Sequence, residues 1–100
     1  MTIVVSGEIR IHPDDFDAAF ALVEKLVTAT QAESGCVAYD FWVDPRDRGR
    51  IRVFEEWTSP EALAAHGGSE HYAEFNAAIG SVRIASVALT RYDIAAQAPL

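Results

Sequence analysis

The spacing of apolar residues changes once in the first third of the chain, and that change restricts the possible folds. From residue 3 to residue 11 apolar and polar side chains alternate, which is typical of a β-strand with one buried face. From Phe16 to Val27 the apolar residues recur every three or four positions, as on one face of a helix. Pro13 and the two acidic residues after it favour a helix start at this point. A strand followed at once by an amphipathic helix requires a sheet for that helix to cover.

The middle of the chain predicts a β-hairpin. Gly35 is expected to end the first helix in a left-handed conformation. The alternation from Cys36 to Val43 predicts a strand, and residues 44–49 have the composition of a turn, so Ile51 to Trp57 should return as an antiparallel partner. In the first of these strands, one face is expected to carry Val37, Tyr39, Phe41 and Val43.

The last third predicts either two short helices or one broken helix, followed by a final strand. Ser59 ahead of Pro60 and Ser69 after Gly67-Gly68 are both suited to cap a helix start. The strand predicted from Val82 to about Ile94 is apolar on both faces. One face is expected to hold Val82, Ile84, Ala88 and Ile94, and the other Ala85, Val87 and Leu89. Because helices on one side of a sheet cover only one face, a second copy of the chain is the simplest cover for the other.

The order strand, helix, strand, strand, helix, strand predicts an α+β fold of the ferredoxin-like split β-α-β type. Such a fold has an antiparallel sheet with helices on one face. A chain of 100 residues suits one domain, predicted here as 1–100, with residues 95–100 as a trailing arm.

The amino-acid composition limits which binding partners and which cellular location are expected. The net charge is −7 and there is no extended cluster of Lys and Arg, so nucleic acid and anionic membranes are poor partners. No apolar run approaches the ~20 residues that span a bilayer. One cysteine, Cys36, excludes an internal disulfide, and no secretory signal is evident, so a cytoplasmic location is expected.

Three groups of residues, in the same order and at the same spacings, resemble the signature of the antibiotic biosynthesis monooxygenase domain family. They are Glu33-Ser34-Gly35-Cys36-Val37-Ala38-Tyr39, then Glu55-x-Trp57, and then Ser59-x-Glu61-Ala62-x-x-x-His66-x-x-Ser69-x-His71-x-x-x-Phe75. The resemblance implies a dimeric α/β barrel in which two sheets pack together, with an apolar pocket in each subunit. It also implies O2-dependent oxidation of phenols, hydroquinones or polyketide-like substrates without flavin, metal or haem.

The predicted catalytic residues are His66, His71 and Glu55. A neutral imidazole of His66 or His71 can accept a phenolic proton. Glu55, on a largely apolar strand face, is expected to pair with a histidine or an arginine, and to orient a histidine or cap a helix rather than to act as the base. His66 is equally consistent with a helix cap, and His71 with a satisfied core residue. Aromatic side chains suited to stack on a planar substrate are predicted to line the pocket: Trp57, Tyr39, Phe41, Tyr72 and Phe75.

No cofactor is predicted. The two histidines plus Glu55 have the composition of a facial triad, but His66 and His71 are separated by the Gly67-Gly68 break, so no metal site is expected. Ser6 and Gly7 stand where haem-degrading relatives carry an asparagine. The leading interpretation is a homodimeric, cofactor-independent monooxygenase acting on a small aromatic substrate and O2. The alternatives are a non-oxygenating binding module or isomerase-like enzyme of the same fold, and a structural dimerisation domain.

Overall fold

Four strands and three helices alternate in the order that the sequence predicts. The computed structural model describes all residues from Met1 to Leu100. The strands are β1 (Thr2–Ile11), β2 (Cys36–Asp44), β3 (Asp47–Trp57) and β4 (Ile84–Ile94). The helices are α1 (Phe16–Gln31), α2 (Pro60–Gly67) and α3 (Glu70–Ala78), with short 3-10 turns before α1 and after α3. The α+β ferredoxin-like prediction is confirmed.

The strands form one antiparallel sheet in the order β2-β3-β1-β4. Because side chains alternate along each strand, the register places Ile3 opposite Trp57 and Tyr39 opposite Glu55. These residues belong to the inner face, which we define as the face that the helices cover. The outer face carries Trp42, Phe54 and Tyr92, all exposed in the single chain.

The core lies between the inner face and the helices, in two clusters. One consists of Ile3, Leu26, Tyr39 and Trp57. The other consists of Ile11, Ala19, Ile51 and Val82. The helical stripe of α1 supplies a residue to each cluster, which confirms that this helix covers the sheet.

The last third contains two helices rather than one broken helix, and both predicted caps are confirmed. The Ser59 hydroxyl accepts a hydrogen bond from the backbone N–H of Ala62, and the Ser69 hydroxyl accepts one from Tyr72. Each cap satisfies a backbone donor that the first turn of a helix leaves unpaired.

The prediction of a left-handed Gly35 is wrong. No residue of the chain has a positive φ, and α1 ends at Gln31, before Gly35. Gly35 is required for a different reason: a Cβ at this position would overlap the Cβ of Ala62. The chain after α1 therefore packs directly against α2.

Two β-bulges place side chains on faces other than those expected. Cys36 pairs with Trp57 and Ala38 pairs with Glu56, so Val37 between them is an extra residue without a partner on β3. Its side chain is exposed. The register also shifts so that Ile84 pairs with Ile11. As a result, Ile84 lines the inner face with Val87 and Leu89, rather than lying opposite them.

The hairpin turn is tighter than expected, because β3 already begins at Asp47. Strand β4 is the least covered part of the sheet, and it is exposed on both faces over nearly its whole length. Residues 95–100 form no helix or strand. None of the helices combines the length and the apolar character that crossing a membrane requires.

Candidate functional site

An apolar cavity of about 220 Å³ lies between the inner face and helices α1 and α3. Strand β4 forms its exposed side through Ile84, Val87 and Leu89. Fifteen of its 17 lining residues are hydrophobic. Four of the five predicted substrate-binding residues are among them: Tyr39, Phe41, Tyr72 and Phe75. The fifth, Trp57, is fully buried beside Tyr39 and does not line the cavity.

Glu55 is the one carboxylate in the cavity wall. Its position on β3 between Val53 and Trp57 directs its side chain to the inner face, where it is only 7% exposed. The indole Nε1 of Trp57 donates a hydrogen bond of 3.0 Å to Glu55 Oε1. The expected histidine or arginine partner is therefore wrong, and an indole N–H serves instead.

Burial raises the pKa of Glu55 above its ordinary value, because the charged form loses hydration. The hydrogen bond from Trp57 and the nearby His66 partly offset this shift. Burial, together with the negative charge of Glu55, also raises the pKa of Tyr39. The Tyr39 phenol is thus neutral at physiological pH, and Glu55 is the cavity group suited to accept a proton.

The two predicted histidines meet at a carboxylate that sequence reasoning missed. His66 Nδ1 lies 2.7 Å and His71 Nε2 lies 2.8 Å from the same oxygen, Oε2 of Glu33. His66 is almost fully buried in the last turn of α2, whereas His71 is partly exposed in the first turn of α3. Neither is a helix cap, and neither lines the apolar cavity, although His71 lines a separate pocket between α1 and α3.

Glu33 reaches both histidines because its segment packs closely against α2. The close approach of Gly35 to Ala62 brings the connection between α1 and β2 to this helix. The backbone N–H of Thr58 also donates to the carbonyl of Gly35. The one signal in the sequence was the place of Glu33 at the first position of the family motif, two residues before that glycine.

Aromatic rings connect the cavity with the histidines. The ring of His66 lies 5.1 Å from that of Tyr39 and 4.9 Å from those of Trp57 and Tyr72, measured between centroids. Tyr39 and Tyr72 also line the cavity. The predicted catalytic residues thus fall into two neighbouring groups: Glu55 in the cavity wall, and His66 and His71, which Glu33 joins, beside these rings. Their catalytic roles stay predictions.

The histidine cluster is also the set of side chains that could hold a metal ion. One donor atom from each of Glu33, His66 and His71 lies within 4.8 Å of the others. The carboxylate of this set is Glu33, whereas the facial triad weighed from the sequence contained Glu55.

Comparisons with known proteins agree with the sequence resemblance. A family model described as "Antibiotic biosynthesis monooxygenase" matches residues 2–78, which include the cavity carboxylate and the histidine cluster. A Mycobacterium tuberculosis protein named "Putative monooxygenase Rv0793" is 35% identical over 88 residues. The matched region spans 88% of this chain and 86% of that protein.

Solved structures show the same fold. The structure of Rv0793 from Mycobacterium tuberculosis has a TM-score of 0.86 at 31% identity, covering 99% of this chain and 100% of that one. A conserved protein from Methanosarcina mazei Go1 has a TM-score of 0.83 at 21% identity, with coverages of 92% and 91%. A protein from Deinococcus radiodurans has a TM-score of 0.86 at 18% identity, with coverages of 100% and 98%. The last two likenesses concern the fold alone.

Proposed function

This chain belongs to the antibiotic biosynthesis monooxygenase family, and on that premise we propose that it oxidises a small aromatic phenol or hydroquinone with O2, without a redox cofactor. The observation that carries the proposal is the cavity itself. Its wall is apolar and aromatic, and it contains a single carboxylate, Glu55, whose pKa is raised by burial. A planar, neutral phenol can enter such a site, and one proton acceptor is in place for it.

The size of the cavity favours a small ligand. Pockets for drug-sized molecules usually measure roughly 300–1,000 Å³, and this one measures about 220 Å³. The rings of Tyr39 and Phe41 lie 5.6 Å apart between centroids, and they offer a surface on which an aromatic ring can stack.

In the proposed reaction, Glu55 accepts the phenolic proton and the phenolate then donates an electron to O2. The two radicals recombine at a ring carbon that carries hydrogen, and Glu55 returns its proton to the resulting peroxide, which forms a hydroperoxide. Loss of water leaves a carbonyl at that carbon, so one oxygen atom enters the product and the other leaves as water. The substrate supplies all four electrons, and the protein supplies alignment, proton transfer and exclusion of water.

The histidines support this step from behind the cavity wall. The positive charge of a protonated His66 favours the carboxylate form of Glu55, which opposes the effect of burial. Glu33 fixes His66 through Nδ1 and also binds His71, so the cluster connects the surroundings of Glu55 with the surface. In this proposal His66 and His71 are positioning residues, and Glu55 is the catalytic base.

The proposal includes a homodimer formed through the outer face. Trp42, Phe54 and Tyr92 are exposed on that face, at 62%, 37% and 49%. Apolar aromatic residues on three different strands form a surface that a second sheet can cover. On the inner face, Val87 and Leu89 of β4 are also exposed. Light scattering at micromolar protein concentration should give twice the chain mass, and a monomer would contradict this part of the proposal.

The deciding measurement is O2 consumption with a panel of hydroquinones and anthrone-like phenols. We expect uptake of one O2 per product above the spontaneous rate, and no turnover under anaerobic conditions. The double variant His66→Ala, His71→Ala should lose most of this excess. Tight binding of a panel member without O2 uptake would instead favour a non-oxygenating binding or isomerase-like protein, and would contradict the monooxygenase proposal.

A further inference from the structure

Three segments of the chain bring metal-ligating side chains to one point. Glu33 follows α1, His66 ends α2 and His71 begins α3. The three donor atoms lie within 4.8 Å of one another, although Glu33 and His71 are 38 residues apart in sequence. We propose that this cluster binds a divalent ion of the Zn²⁺ class, with water completing the coordination. This site is separate from the cavity and goes beyond the proposed oxidation.

The atoms that face each other are those that would bind the ion. Nδ1 of His66 and Nε2 of His71 point at Glu33 Oε2 from 2.7 and 2.8 Å. Around Zn²⁺, with ligand bonds of about 2.0–2.2 Å, neighbouring ligand atoms are separated by roughly 3.0–3.5 Å. To admit the ion, the Glu33 carboxylate would move outward, and the two imidazole nitrogens, which lie within 4.8 Å of each other, would move closer together. Two imidazoles and one carboxylate favour Zn²⁺ and Co²⁺ over Mg²⁺, which prefers oxygen ligands.

The backbone of the two histidines is already fixed. The Ser69 hydroxyl donates to the carbonyl of His66 at 2.7 Å and accepts from the N–H of Tyr72 at 3.3 Å. Ser69 thus ties the end of α2 to the first turn of α3, where His71 lies. The rings of Tyr39, Trp57 and Tyr72 hold the imidazole of His66 in place. An ion would bind without a large ordering cost, since its ligands are positioned before it arrives.

Charge and access also favour a cation. Glu33 lies within hydrogen-bond distance of the two histidines and forms no salt bridge with Lys or Arg, so no permanent positive charge compensates this carboxylate. The side chains of Glu33 and His71 remain 17% and 25% exposed, which leaves a path from solvent. Three protein ligands with an open position are typical of a zinc site that retains water.

The test is a calorimetric titration of chelator-treated protein with Zn²⁺ alone. We expect one ion per chain and a higher melting temperature with Zn²⁺. His71→Ala should weaken binding by more than about 100-fold, beyond the 10–100-fold typical of losing an outer-shell partner. His12→Asn is the matched control: it removes a histidine that already has a carboxylate neighbour, Asp14, far from the cluster in sequence, and it should leave binding unchanged.

A second measurement keeps the proposal testable if His71→Ala folds poorly. Co²⁺ should give visible absorption bands of low-symmetry coordination in the wild type, and Glu33→Gln should weaken or shift them. Absence of Zn²⁺ binding by the wild type would overturn the proposal, and so would equal affinity of the wild type and His71→Ala. Neither measurement uses O2 or a phenol. The metal-site proposal can therefore be contradicted while the monooxygenase proposal stands, and the monooxygenase proposal can be contradicted while the metal site stands.

Discussion

Two carboxylates on the helix side of the sheet differ in what surrounds them. Glu55 lies in the cavity wall with one indole N–H as its hydrogen-bond donor, and burial raises its pKa. Glu33 lies at the protein edge and binds two imidazoles. When a buried carboxylate accepts few hydrogen bonds, its negative charge is poorly stabilised. It therefore binds a proton more readily, which makes it a better base. A carboxylate with two cationic or donating partners is instead suited to hold segments together or to bind an ion.

The largest expected effect is on activity, and it concerns Glu55. Glu55→Gln keeps the shape of the side chain and an acceptor oxygen for Trp57, but removes the base. We expect O2 uptake with a hydroquinone substrate to fall by about 10²–10⁴-fold. The control is Glu24→Gln, which removes one charge from an exposed position on α1 and should leave uptake within twofold. Uptake by Glu55→Gln at the wild-type rate would show that Glu55 is not the base.

The next prediction concerns Trp57, which supplies the one hydrogen bond that Glu55 accepts. Trp57→Phe removes the indole N–H and part of a fully buried ring, so the free energy of unfolding should fall by about 2–4 kcal/mol. Because the lost hydrogen bond had favoured the carboxylate, the pKa of Glu55 should rise further. The acidic limb of the pH profile of kcat/KM should therefore move to higher pH. If the variant folds and its pH profile of kcat/KM does not move, the hydrogen bond from Trp57 has no influence on the catalytic role of Glu55.

A smaller effect on stability is expected at Glu33. Glu33→Ala leaves the nearly buried His66 without its Nδ1 partner, and should reduce the free energy of unfolding by about 1–2 kcal/mol in urea titrations. Glu61→Ala, at an exposed position, is the matched control and should change it by less than about 0.5 kcal/mol. Equal free energies of unfolding for the two variants would mean that the contacts of Glu33 with the histidines do not stabilise the fold.

The smallest effect is the pH dependence of stability. Since the folded-state pKa of Glu55 is raised above 4.5, the folded protein binds more protons than the unfolded chain between the two pKa values. Glu55 therefore costs stability above its raised pKa and costs nothing well below 4.5. The stability of Glu55→Gln relative to wild type should increase as pH rises through this window. A difference that is constant from pH 4 to 8 would contradict the raised pKa.

Asp15 offers the opposite sign in the same titration. Hydrogen bonds from Arg83 lower its pKa from 3.8 to about 2. Its contribution is therefore present above pH 3.8 and is lost as the pH falls towards 2. Arg83→Ala removes the side-chain hydrogen bonds to Asp15 but keeps the backbone N–H that also donates to it. The loss of stability at low pH should therefore become smaller, and the Glu55 window should stay unchanged.

Local patterns were sufficient for much of the fold. The alternation of β1, the stripe of α1, and the caps at Ser59 and Ser69 depend on residues within a few positions of one another, and the structure has them as expected. Their order predicted the ferredoxin-like arrangement. Four of the five residues that were predicted from their aromatic type to line the pocket do line the cavity.

The predictions that were wrong have a common physical cause. The bulge at Val37 and the register shift before β4 arise from pairing between strands, so neither is visible in the alternation of one strand. The helix pattern predicts a left-handed Gly35 at the end of α1, but the role of this glycine is the close contact with Ala62, 27 positions later. A local pattern contains no information about such contacts.

The sequence by itself determined the elements, their order and the residue types available for chemistry, because periodicity and capping are short-range. Only the tertiary structure decided how those residues are grouped. It separated Glu55 from the histidines, gave Glu55 an indole partner, and joined His66 and His71 through Glu33 across 33 and 38 positions of the chain. Packing of helices on a sheet brings distant segments together, and the partners of a buried charge are chosen by that packing rather than by neighbours in sequence.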